Sequence, residues 1–177
     1  MLGVSPLRPT EPELSDATCR EYYRRLAAGV AVVTACGPSG WSGTTVSTLT
    51  SVSMDPPIIL TCVKGGSRTL TAIEHAGCFA AHLLTEAQSD LAERFSRPPS
   101  DSTRFVELGY EIGLHRGAPV IADALAVAWC DVHAITEVGD HSVVYGRVTA
   151  VNVNGGRPLL WHNRGFHFLP APMRTTA

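Results

Sequence analysis

The chain of 177 residues is 45% hydrophobic and 17% charged, which fits one globular core and excludes a disordered or fibrous polymer. Its formal charge of −2, with basic residues scattered, argues against a general nucleic-acid surface, and no apolar run nears the roughly 18 residues of a membrane span. The five cysteines, Cys19, Cys36, Cys62, Cys78 and Cys130, form no C-x-x-C pair and leave an odd one, so neither a disulfide framework nor a zinc site is expected.

The first residues carry no charged start and no hydrophobic signal core, so a cytoplasmic protein is expected. Residues 1–14, with Pro6, Pro9 and Pro12, lack hydrophobic periodicity and read as a flexible leader; 15–170 read as one domain and 171–177 as a flexible tail. Thr18 to Ala28 has a helical pattern, with Thr18 and Glu21 spaced as a capping box. Val30 to Ala35 is a β-branched run, Gly37-Pro38-Ser39-Gly40 is turn chemistry, and Trp41 onward is extended again, which together predict a hairpin.

The second strand of that hairpin opens a hydroxyl-dense stretch, SGTTVSTLTSVS from Ser42 to Ser53, which offers polar groups to a ligand. Hydroxyl-rich strands also occur on ordinary antiparallel sheets. Pro56-Pro57 then sets up an apolar strand from Ile58 to Val63, which runs into Lys64-Gly65-Gly66-Ser67-Arg68-Thr69 ahead of a short helix. Cations, glycines and hydroxyls at a helix start are what a phosphate site requires, and the same residues also make a solvated turn.

Gly77 ends the helix, Cys78 to Leu84 is a strand, and Thr85 opens an amphipathic helix through Gln88, Leu91 and Phe95. Ser96 to Asp101 breaks it, and the loop-rich region that follows, with Phe105, Val106 and Leu108, is expected to cover the site or a partner subunit. Ala124 to Glu137 and Ser142 to Val151 read as antiparallel mates across Gly139-Asp140, and Asn154-Gly155-Gly156 turns the chain into Pro158 to Phe168. Short strands with few helices predict a mainly β fold, a small barrel.

The order of GTTVST, SVSMDPP, an apolar strand, KGGSRT and CFAAHLLTEAQSDLAERFS, from about Tyr22 to Phe168, resembles the flavin reductase-like family, the FMN-binding split β-barrels that include the reductase components of two-component monooxygenases. The resemblance implies a Greek-key-like, dimeric split barrel that binds FMN or FAD and takes hydride from NADH or NADPH. By resemblance, Thr45, Val46, Ser47 and Thr48 lie along the flavin and Ser53 near its ring; Cys62, Val63 and Lys64 flank the ribityl-phosphate end, and Ser67, Arg68 and Thr69 hold the phosphate. Ala81, His82 and Leu83 occupy a segment that commonly reads valine-asparagine-x-leucine, so His82 is a departure, with a flavin contact expected through its backbone. Gly139-Asp140-His141 matches the family's GDH turn, which makes Asp140 and His141, with Ser53, the candidates for the catalytic step, His141 positioning the nicotinamide. Trp161 is a candidate at the flavin site of a neighbouring subunit, although a core tryptophan fits equally. His162 and His167 have no companion at a metal-ligand spacing, so no metal is expected.

Three functions follow from this reading. The first is a homodimeric NAD(P)H-dependent flavin reductase that delivers reduced flavin to a separate oxygenase, without nucleic-acid or membrane partners. The second is a flavin-dependent biosynthetic enzyme with His82, His141 or His162 as acid-base groups. The third is a non-enzymatic flavin- or haem-binding module.

Overall fold

The computed structural model describes residues 14–98, 102–106 and 112–169. The expected tail lies outside them, as do all of the expected leader except Leu14, and Leu108.

Helix α1 (Asp16–Arg24) is capped by Ser15, whose hydroxyl accepts the Thr18 amide at 3.2 Å while Thr18 Oγ1 accepts the Ser15 amide at 3.1 Å. The capping box therefore starts at Ser15 and not at Thr18; Glu21 pairs instead with Arg24 and Arg25. The helix stops short of Ala28 because Ala28–Gly29 is drawn into a strand, β1. The chain continues through β2 (Ala31–Gly37), β3 (Gly40–Val46), β4 (Thr50–Met54), β5 (Pro57–Lys64), α2 (Arg68–Ala76), β6 (Cys78–Leu83), a 3-10 turn (Glu86–Gln88) and α3 (Ser89–Ser96). It ends with α4 (Thr103–Val106), β7 (Ile112–His115), β8 (Ala118–Ile121), β9 (Ala126–Val138), β10 (His141–Val153), β11 (Leu159–His162) and β12 (Gly165–Phe168).

All strand pairings among these elements are antiparallel. A seven-stranded sheet has the order β3-β2-β6-β9-β10-β5-β4, a three-stranded one β1-β11-β12, and β7 and β8 pair with each other. The mainly β expectation holds. The central strands are buried on both faces, as β2 shows: Ala31, Val33 and Ala35 join one core with Ile73, Phe79 and Val144, while Val32, with Val30 just ahead of the strand, joins another with Leu91, Phe95 and Ile121. Helix α2 covers the first core and α3 the second.

The hydroxyl-dense stretch is not one strand. It breaks at Ser47–Leu49, where β3 ends, before β4 forms on the sheet's edge. The segment from Pro158 to Phe168 is likewise two strands, folded about Asn163 and Arg164, both with positive φ (47° and 66°).

Candidate functional site

A cavity of about 460 Å³ opens where β3 ends. Thr45, Val46 and Ser47 form one wall, the end of α3 with Glu93, Ser96 and Arg97 a second, and Trp161, Arg164 and Phe166 from the β11–β12 hairpin a third. Local chemistry sets each wall. Gly43 lets α3 lie close, because a Cβ there would come within 3.0 Å of the Phe95 ring, and Thr45 Oγ1 donates to the Ala92 carbonyl at 2.6 Å, pinning the helix to the strand. Trp161 and Phe166 meet edge to face at 5.0 Å between centroids. Arg97 is held by Glu93 at 3.4 Å, one helical turn back.

A second group of candidates gathers at one end of β5 and β10. Lys64 lies opposite His141 in register, and the Gly65 amide donates to the Asp140 carbonyl at 3.0 Å. Glycine eases that approach: a Cβ on Gly65 would stand 3.2 Å from the Asp140 oxygen, closer than most Cβ contacts. His141 Nδ1 is 2.9 Å from Asp140 Oδ1, and this hydrogen bond, with the imidazole's charge and Lys64, holds the Asp140 carboxyl below the usual carboxylate range. Beyond them Ser67 caps α2, its hydroxyl accepting the Leu70 amide at 3.2 Å, and Arg68 reaches the Ser39 carbonyl at 3.4 Å. Thr48 links the two groups, its Oγ1 accepting the Cys62 amide at 2.9 Å.

Several of the expected contact residues commit their groups within the chain. Thr69 cannot offer its hydroxyl to a phosphate, because the side chain is 0% exposed and bonded to Ser42 Oγ at 2.9 Å. Val63 puts its side chain into the core, and the Cys62 amide is spent on Thr48. Ala81 and His82 sit in β6 between β2 and β9, 1% and 0% exposed, so neither presents an atom to a ligand in this chain; Leu83, at the strand's end, is exposed. His82 donates from Nδ1 to the Val32 carbonyl at 2.9 Å and leaves Nε2 without a partner; burial pushes its pKa down to about 4. It is a neutral core residue, not an acid-base group. Ser53 lies on edge strand β4 and its hydroxyl accepts the Asp55 amide at 3.2 Å, away from the cavity walls.

The cavity also includes residues not singled out beforehand: Glu93, Ser96, Arg97, Arg164 and Phe166. The available signal for Arg164 was Asn163, a residue that tolerates positive φ and so marks a turn, muted because neither positive-φ position carries a glycine. Among the described residues no cluster of histidine, cysteine or carboxylate could hold a metal ion, and no helix is long and apolar enough to cross a membrane.

A cavity that joins hydroxyls, an aromatic pair and guanidinium groups suits a planar, phosphorylated ligand. In keeping with it, residues 23–170 match the flavin reductase like domain, and the chain belongs to that family. It is 39% identical over 152 residues to a Rhizobium meliloti (strain 1021) protein named "Probable flavin reductase", covering 85% of this chain and 48% of that one. It is 38% identical over 156 residues to the reductase subunit of a stachydrine N-demethylase from the same organism, covering 86% and 65%. The chain thus spans about half to two thirds of the length of these curated relatives. Among solved structures, the flavin reductase component of a bacterial two-component tryptophan halogenase superposes with a TM-score of 0.80 at 31% identity, covering 89% of this chain and all of that one.

Proposed function

We propose that the chain is an NAD(P)H-dependent flavin reductase that carries hydride from NADH or NADPH to FMN or FAD and hands the reduced flavin to a separate oxygenase. The observation that carries this reading is the cavity at the end of β3, with Thr45, Val46 and Ser47 facing Trp161 and Arg164 in a chain of this family. Relatives named as reductase subunits or components of two-component systems support the oxygenase partner.

The residues present fit a flavin. The hydroxyls of Thr45 and Ser47 and the Val46 backbone line its path, and Trp161 with Phe166 supplies an aromatic wall. Lys64 and Arg68, beyond Thr48, are placed for a phosphate; Ser67 contributes by capping α2, so that free amides of the first turn face the same way. A bound flavin supplies the two-electron acceptor for the nicotinamide's hydride. The protein's task is then orientation and exclusion of water, since hydride transfer between rings needs no protein nucleophile. His141, half-exposed and held by Asp140, positions the nicotinamide. Burial of His82 removes one of the three histidines on which a direct biosynthetic role would rest.

The finer architecture belongs to the same proposal. The Thr48–Cys62 hydrogen bond brings the end of β3 to β5, so the seven-stranded sheet curls toward closure as a split barrel. Exposed Val151 and Val153 at one end of β10 give a second copy an apolar patch to cover, forming a homodimer. The test is aerobic consumption of NADH or NADPH with and without added FMN or FAD. Flavin-dependent turnover supports the proposal; consumption that ignores flavin, or none with any pair, rejects it.

A further inference from the structure

The cations near the candidate site fall into two separate groups. Arg68 reaches Ser39 at the start of β3, beside a small cavity of about 110 Å³, while Arg97 and Arg164 line the large cavity at the end of that strand. The six-residue step from Gly40 to Val46 spans about 20 Å at about 3.3 Å per residue. FMN carries one phosphate and cannot occupy both groups with it.

Arg164 is unusual in two ways. It takes φ of +66° at the tip of the β11–β12 hairpin, in the second central position of a turn where glycine is the favoured residue and a side chain is strained. Its guanidinium also has no hydrogen bond or ion pair among the described residues, whereas Arg20, Arg24, Arg25, Arg97, Arg116, Arg147 and Arg157 each have a carboxylate partner. A strained backbone that aims an uncommitted cation at a cavity wall is retained for a ligand more readily than for stability. Glu93 faces the same cavity and offsets Arg97, so Arg164 supplies the net positive charge.

We propose that Arg164, assisted by Arg97, is the anchor for the pyrophosphate of a dinucleotide, with Trp161 and Phe166 as the flat surface beside it, and that this anchor sets preference for dinucleotide over mononucleotide ligands. The proposal rests on the flavin reductase reading. The pyrophosphate is that of the nicotinamide cofactor, because the two phosphates of FAD are directly joined and its flavin-side phosphate is the one placed at Lys64 and Arg68.

The test compares Arg164→Gly and Arg97→Gln with the unmodified protein in equilibrium binding of ADP, FAD, FMN and NADH, followed by calorimetry. Glycine relaxes the turn, so Arg164→Gly keeps or raises the melting temperature, and a loss of binding is not a loss of fold. We expect ADP binding to weaken about tenfold or more in Arg164→Gly and less in Arg97→Gln. NADH affinity falls with it, while FMN and FAD are unchanged; a fall in FAD affinity with NADH unchanged would give the pyrophosphate to the flavin and overturn the assignment. Equal loss for FMN and FAD, or unchanged ADP binding, overturns the assignment. An unmodified protein that binds ADP through Arg164 but reduces no flavin would instead defeat the reductase reading and leave the anchor standing.

Discussion

Acidification will destabilise this protein through His82 before its carboxylates are protonated. The imidazole is 0% exposed, its Nδ1–H is committed to Val32, and burial holds its pKa at about 4 against an ordinary 6.5. The folded state therefore binds fewer protons than the unfolded one between those values, so the stability present above pH 6.5 is lost as pH falls toward 4. The full shift corresponds to about 3 kcal/mol, of which about 2 kcal/mol is gone by about pH 5. Urea unfolding at fixed protein concentration, at about pH 7.5 and about pH 5, measures the loss directly. His82→Asn lowers stability at both values, but its pH dependence over this window shrinks by about 2 kcal/mol, since other titrating groups cancel in the comparison. A variant with the same pH dependence as the unmodified protein would refute the argument and mean that the buried ring is protonated or hydrated in the fold.

Three further outcomes follow from the packing and the site. Gly146→Ala places a methyl 2.4 Å from the Phe79 ring and 2.8 Å from Cys130 Cβ in the middle of the sheet, so it lowers stability by about 1–3 kcal/mol, read as a drop in urea midpoint. Thr45→Val removes the hydrogen bond to the Ala92 carbonyl that pins α3; it costs about 1 kcal/mol and weakens flavin binding as the α3 wall loosens, checked by thermal unfolding and flavin titration. His141→Ala raises the KM for the nicotinamide or slows turnover while leaving flavin affinity unchanged, because the side chain stands on the hairpin turn and not on the cavity wall; steady-state kinetics beside flavin titration separates the two.

Local chemistry was readable where it is self-contained. Gly37-Pro38-Ser39-Gly40 and Gly139-Asp140 carry their turns in their own residues, and Gly77 ends α2 in the left-handed region as a helix-terminating glycine should. The β11–β12 hairpin was not readable, because Asn163 and Arg164 adopt positive φ without a glycine to announce it. Ala81 and His82 show the same limit in burial. A period-two pattern does not say which strand becomes central, and only the pairing of β6 with both β2 and β9 seals them. The resemblance groups Thr69 with Ser67 and Arg68, but the direction of its side chain depends on where α2 rests against β3 and Ser42, which no local pattern states. The α3 side of the cavity, Glu93 to Arg97, was illegible for a related reason: its approach to Thr45 is set by packing of Phe95 over Gly43, residues more than fifty positions apart in the chain.

The measurement that bears most directly on the account is anaerobic mixing of the purified protein and FMN or FAD with NADH or NADPH, following loss of the oxidised flavin's visible absorption. The account predicts rapid bleaching with at least one pair, slowed in His141→Ala. Tight flavin binding with no bleaching by either nicotinamide would contradict it and shift the function to chemistry that does not begin with hydride transfer from a pyridine nucleotide.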